Sequence, residues 1–199
     1  WRFIDHLIQD QDSNAASYGV IADHPEKIDG HFPESYAPMN AVRQHLNSLD
    51  YHPGLDQIVV SSFLYNEIWV IDHSTTLEQG AGSTGGRRGM GGDLLFRYGN
   101  PAAYGKGTDA DRIFQTQPDT NWIAEGLPGA GHILVFNNNT GMDAVSRVSL
   151  SGRGAAAVQE QLKGISNVHE IRPAVDHEGY IIGKAGAFEA EPIWFWENS

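Results

Sequence analysis

Polar and apolar positions alternate from His45 to Tyr51: His45, Asn47, Leu49 and Tyr51 fall on one face and Leu46, Ser48 and Asp50 on the other. A period of two is the mark of a strand, and it places His45 and Asn47 on the same face. His52-Pro53-Gly54-Leu55-Asp56 follows, and it is turn chemistry, because Pro presets φ and Gly accepts φ > 0. Two β-branched runs, Gln57–Ser62 and Glu67–Asp72, read as the next strands, and Asp93–Tyr98 as a fourth, outer one. Strand, turn, strand, turn, strand over about thirty residues predicts an antiparallel meander, the unit of a β-propeller blade.

A second meander is predicted from Asn121–Gly126, His132–Asn137, Ser146–Leu150, Val168–Arg172 and Ile193–Glu197, with Ala155–Leu162 as a short helix or an excursion. Trp1-Arg2-Phe3, Phe96-Arg97-Tyr98 and Trp194-Phe195-Trp196 repeat one aromatic-x-aromatic strand at spacings of 95 and 98 residues. Four-stranded repeats with long insertions are a propeller signature. The fold class is therefore all-β, a β-propeller present as an incomplete fragment of about two four-stranded blades. The expected layout of this single partial domain is a blade end at 1–8, a loop at 9–40, a blade at 41–100, a loop at 101–118 and a blade at 119–199. Trp1–Ile8 reads as a strand already under way, and Gln9–Asn40 as a long surface loop with a helical turn near Asn14–Tyr18. A ring closes with about four to eight blades, so the remaining blades belong to the same chain or to another copy. A complete two-unit β protein that pairs with other copies is the other reading.

Composition narrows the partners. Apolar residues make up 40% of the 199 residues, enough for a core, and the formal charge is −12. That charge argues against nucleic acid, whose phosphates call for Lys and Arg, and against anionic membrane surfaces. No apolar run nears the roughly 20 residues that span a bilayer, and no signal peptide is legible. There is no cysteine, hence no disulfide or thiolate chemistry, and the redox compartment is left open.

Several motifs invite chemistry and do not carry it far. The glycine-rich GAGSTGGRRGMGG run lacks the Lys-Ser/Thr of a phosphate loop and the helix that a dinucleotide fingerprint needs. It reads as a hairpin loop, with Arg87 and Arg88 as potential anion contacts. Asp109 and Asp111 are too few for a calcium loop and no zinc spacing of histidines occurs, so neither metal nor cofactor is expected. His6, His24, His31 and His52 sit among Asp, Pro and Gly and read as surface-loop residues. Trp69, Trp122, Trp194 and Trp196 read as packing between blades.

Taken together, HLNSLDYHPGLDQIVVSS, EIWVIDH, GDLLFRYGNP and NWIAEGLPGAGHILVFNN, in this order, resemble the arylsulfate sulfotransferase family. The resemblance runs from about Trp1 to Arg147. It implies a six-bladed propeller with its site in the central channel, a periplasmic or extracellular setting, and sulfuryl transfer from an aryl sulfate to a phenol through a histidine. His45 and Asn47 match the family's His-x-Asn and are the implied catalytic residues. Phe63 stands where the family has an Arg after Ser-Ser, and Asp119 closes the segment Gln117-Pro118-Asp119, where the family has Gln-His-Asp. Phe63 and Asp119 thus occupy implied substrate-binding positions, and Pro118 the position of the nucleophilic histidine. A non-catalytic propeller that binds a ligand or a partner is the alternative. A quinoprotein-like oxidoreductase is a weaker one, lacking its tryptophan-docking repeat and a carboxylate-bound calcium.

Overall fold

The computed structural model describes residues 1–32, 45–138, 166–177 and 179–197. The predicted strand Ser146–Leu150 and the predicted helix Ala155–Leu162 lie outside the described residues. In chain order the strands are β1 (Leu7–Ile8), β2 (Ile28–Asp29), β3 (Leu46–His52), β4 (Gln57–Ser62), β5 (Glu67–Asp72), β6 (Leu94–Tyr98), β7 (Asp119–Trp122), β8 (Ile133–Asn137), β9 (Asn167–Pro173) and β10 (Ala190–Glu197). The chain is all-β: β3-β4-β5-β6 and β7-β8-β9-β10 form two four-stranded antiparallel sheets, each in sequential order. Among the described residues, helical structure is confined to short 3-10 turns.

Strands β4, β5 and β6 of the first sheet are buried on both sides. On one face Val59, Val70 and Phe96 meet Ile133, Val135 and Ile171 of the second sheet, with Phe114 and Phe188 closing the layer. On the other, Val60, Trp69, Ile71 and Leu94 meet Ile28, Tyr65 and Tyr104, with Phe3 and Leu7 packed at the margin. This explains why β5 reads as a continuous run rather than an alternation: every one of its residues is buried. Each large side chain so buried contributes about 1.5–3 kcal/mol.

The N-terminal segment supplies the second cover, and its structure differs from the strand and surface loop that the sequence predicts. Trp1–Ile8 is not one strand: Phe3–His6 forms a 3-10 turn and only Leu7–Ile8 is extended, pairing in parallel with β2. Residues 9–32 are not a loose loop either, because Ile28 is fully buried and Arg97 Nη1 donates to Lys27 O at 2.7 Å. His6, expected on the surface, is fully buried. Its Nδ1 faces Asp93 Oδ1 at 2.8 Å and its Nε2 faces Gly80 O at 3.0 Å. Lys27 Nζ donates to the same Asp93 oxygen at 2.6 Å. The Asp109–Asp111 turn is a capped 3-10 turn in which Asp111 accepts from the Thr108 N–H and hydroxyl.

The two sheets meet along β3 and β7. Ser48 Oγ accepts the Thr120 N–H and Asp50 Oδ2 accepts the Trp122 N–H, both at 2.8 Å. Since 48 pairs with 120 and 50 with 122, the two strands run in the same direction and start at the same end.

Candidate functional site

The beginning of β3, the β4–β5 turn (63–66) and the segment entering β7 (115–119) converge at that common end. Side-chain amides bind them together. Asn66 Oδ1 accepts the Thr116 N–H at 2.8 Å, and Asn100 Nδ2 donates to Tyr65 O at 2.9 Å. Gln117 Nε2 donates to Ser62 O at 2.9 Å and Glu67 O at 2.8 Å, while Ser61 Oγ donates to Gln117 O at 2.9 Å. Thr116 holds φ of 55°, a left-handed conformation that a β-branched residue adopts only under constraint from its neighbours.

His45 is exposed, with its ring centroid 4.9 Å from that of Phe63 and the planes tilted by 35°. The Phe63 N–H donates to His45 O at 2.9 Å, so backbone as well as ring ties the two together. Asn47 is the extra residue of a β-bulge: Leu46 pairs with Ser62 but Ser48 already pairs with Ser61. The strict alternation that put His45, Asn47, Leu49 and Tyr51 on one face is interrupted there. Leu46, Leu49 and Tyr51 are the exposed residues of the strand, and Asn47 Oδ1 is buried with no hydrogen-bond partner among the described residues.

Asp119 is the first residue of β7. It is exposed and accepts from Asn121 Nδ2 at 3.1 Å. Pro118, two residues before Thr120, falls near Leu46, two residues before Ser48 and at the edge of the bulge. The structure therefore brings His45 and Phe63 into direct contact, sets Asn47 beside them on β3, and starts β7 at Asp119 on the same level.

Two polar groups join this site that sequence reasoning did not single out. Among the described residues, Ser62 Oγ and Gln117 Oε1 are buried without a partner, like Asn47 Oδ1. A buried unpaired polar atom costs about 1–3 kcal/mol, so a bound molecule that reached any of these three would recover that cost. The Asn47 amide can rotate to present its oxygen or its NH2, whereas Gln117 is held by its two donated bonds. Hydroxyl, carbonyl and amide groups beside an imidazole and an aromatic plane suit a small molecule with a ring and a polar head. Among the described residues, no group of three or more His, Asp or Glu side chains is placed to hold a metal ion.

Comparison of the sequence with known protein families and with curated proteins found no match.

Proposed function

We propose that this chain is part of a β-propeller of the arylsulfate sulfotransferase kind, whose site at the His45 end takes an aryl sulfate and passes its sulfuryl group to a phenol. The observation that carries this reading is the exposed His45 imidazole lying against Phe63, beside Asn47, whose Oδ1 has no partner among the described residues. Near neutral pH a neutral imidazole is a good nucleophile. One imidazole nitrogen of His45 attacks sulfur, the sulfur–aryl oxygen bond breaks, and the phenolate leaves with the electron pair and takes a proton from water. An acceptor phenol then loses its proton to solvent as its oxygen attacks sulfur, the N–S bond breaks, and the imidazole is restored. Phe63 offers the ring a stacking face, and Asn47, with its NH2 turned in, and Ser62 donate to the sulfuryl oxygens, where negative charge concentrates.

The propeller reading has its own support. Phe96 of the first outer strand is covered by Tyr180 and Phe188 from the segment between β9 and β10, at centroid distances of 5.1 and 5.8 Å. Trp194 and Trp196 hold the corresponding places on β10 and are 49% and 46% exposed. A further sheet stacked in the same way would cover them.

A specific observation favours a second reading, a non-catalytic propeller that binds its ligand: Pro118, which falls near Leu46 at the edge of the bulge, has no nucleophilic atom, and Phe63 cannot clamp a sulfate. The full-length protein, incubated with a chromogenic aryl sulfate and a phenol acceptor, separates the two. Phenolate release that is lost in His45→Ala supports sulfuryl transfer. Binding of the aryl sulfate by calorimetry without any release establishes the second reading, and neither binding nor release refutes both.

A further inference from the structure

The opposite end of the same two strands holds a different cavity. β3 ends at His52 and β7 at Trp122, and both line a space of about 380 Å³ between the sheets. That volume is in the range of small-molecule sites. Leu55, Trp122, Pro173 and Val175 give it apolar walls. A second space of about 120 Å³ adjoins it, and Arg88, Gly179 and Tyr180 border both.

The polar groups around it favour an anion. Arg88 has no hydrogen bond or ion pair from its guanidinium among the described residues. Its backbone N–H donates to Asp72 Oδ2 at 3.1 Å, which fixes where it stands. The other cation of the lining, Arg172, is engaged by Glu191. Among the described residues two carboxylates border these spaces, and both have partners: Asp176, which accepts the Gly179 N–H at 3.1 Å, and Glu26 in the smaller space, 2.9 Å from His24 Nδ1. His52 Nδ1 accepts the Leu55 N–H at 3.2 Å, so the neutral ring carries its proton on Nε2 and is a donor there. Tyr180 Oη donates to Gln57 Oε1 at 2.6 Å, and the proximity of Arg88 works against the upward push that burial gives this hydroxyl. A guanidinium without a partner among the described residues, where two cavities meet in a chain of formal charge −12, is a place of reversed sign.

We propose that this cavity binds a small organic anion with a flat apolar body: the anionic group lies against Arg88, where the two spaces meet, and the body lies against Trp122. The site is separate from the one at His45 and is independent of the sulfuryl-transfer reading.

Nitrogen-15 spectra of the full-length protein test it, with the Trp122 indole signal assigned through Trp122→Phe. Benzoate is the probe, and benzyl alcohol is the uncharged comparison of the same size. A saturable shift of the Trp122 signal with benzoate is expected, and a much weaker one with benzyl alcohol. Arg88→Gln should weaken benzoate by about tenfold or more, the worth of one charge-assisted hydrogen bond. Arg87→Gln and His45→Ala should leave it unchanged; Arg87 faces Asp56 rather than the cavity. The proposal is overturned by a shift that does not saturate, by equal binding of benzyl alcohol, or by unaltered affinity in Arg88→Gln. The first two arms use the native protein, so they decide the matter even if a variant misfolds. Loss of benzoate binding in His45→Ala would instead assign the anion to the first site and also overturn the proposal.

Discussion

Arg97 Nε donates to Glu67 Oε1 at 3.0 Å with both side chains fully buried between the first sheet and the N-terminal cover. The pair is well satisfied: Trp69 Nε1 donates to Glu67 Oε2 at 2.9 Å, and the guanidinium lies 4.2 Å from the Tyr104 ring centroid while bonding Lys27 O. Glu67→Gln keeps the shape and removes the countercharge, leaving Arg97 charged in an apolar layer. The expected loss is about 3–5 kcal/mol in urea unfolding. The double variant Glu67→Gln/Arg97→Met should lose less than the sum of the two single changes. An additive result would mean that the pair does not act as a unit.

Asp93 sets an acid limit on the fold. Burial pushes its carboxyl up, but the hydrogen bonds from His6 and Lys27 outweigh it and hold the group below its ordinary value of 3.8. A carboxylate with a depressed folded pKa stabilises above its unfolded value and loses that contribution as pH falls through the folded one. Stability should therefore fall below about pH 4, and in Asp93→Asn that part of the acid limb should flatten while stability at pH 7 drops. Thermal melts from pH 2 to 7 check this. An Asp93→Asn curve parallel to the native one would remove the tether from the account.

Ser48 and Asp50 hold the second sheet by its first strand. Each accepts a backbone N–H of β7, so Ser48→Ala and Asp50→Ala should each cost about 1–2 kcal/mol. Hydrogen exchange gives the sharper readout: Thr120 should exchange faster in the first variant and Trp122 in the second. Uniform acceleration across both sheets would point to global destabilisation instead.

The strands of the first sheet were legible because turn chemistry at His52–Asp56 and two β-branched runs fix them locally. The bulge at Asn47 was not, since it arises from pairing with Ser61 and Ser62, and strict alternation placed His45 and Asn47 on one face. His6 reads as a loop residue because its partner Asp93 is 87 positions away. The candidate site divides in the same manner. The family resemblance names His45, Asn47, Phe63 and Asp119, which lie at the common end of β3 and β7. The unpaired states of Ser62 and Gln117 could not be named from the sequence, because satisfaction of a polar atom is a property of neighbours brought in by folding.

Pro118→His tests the level of the strands at the candidate site. The pairs Ser48–Thr120 and Asp50–Trp122 set position 118 near Leu46, at the edge of the bulge. An imidazole there would face the same end as His45. Gln117 and Thr116 are anchored to Ser62, Glu67 and Asn66 through bonds that do not involve position 118. The fold should therefore survive, with a loss of about 0.4–1 kcal/mol from the freer unfolded chain. With an aryl sulfate and a phenol acceptor, release of phenolate should rise by about a hundredfold over the native protein, the contribution of one well-placed proton-transfer group or nucleophile. His45→Ala in the Pro118→His background should then reduce the gain rather than abolish it, since the new ring supplies the nucleophile and His45 the proton to the departing phenolate. A folded Pro118→His protein no more active than the native one would show that position 118 does not reach the sulfur, and sulfuryl transfer would have to proceed through His45 alone.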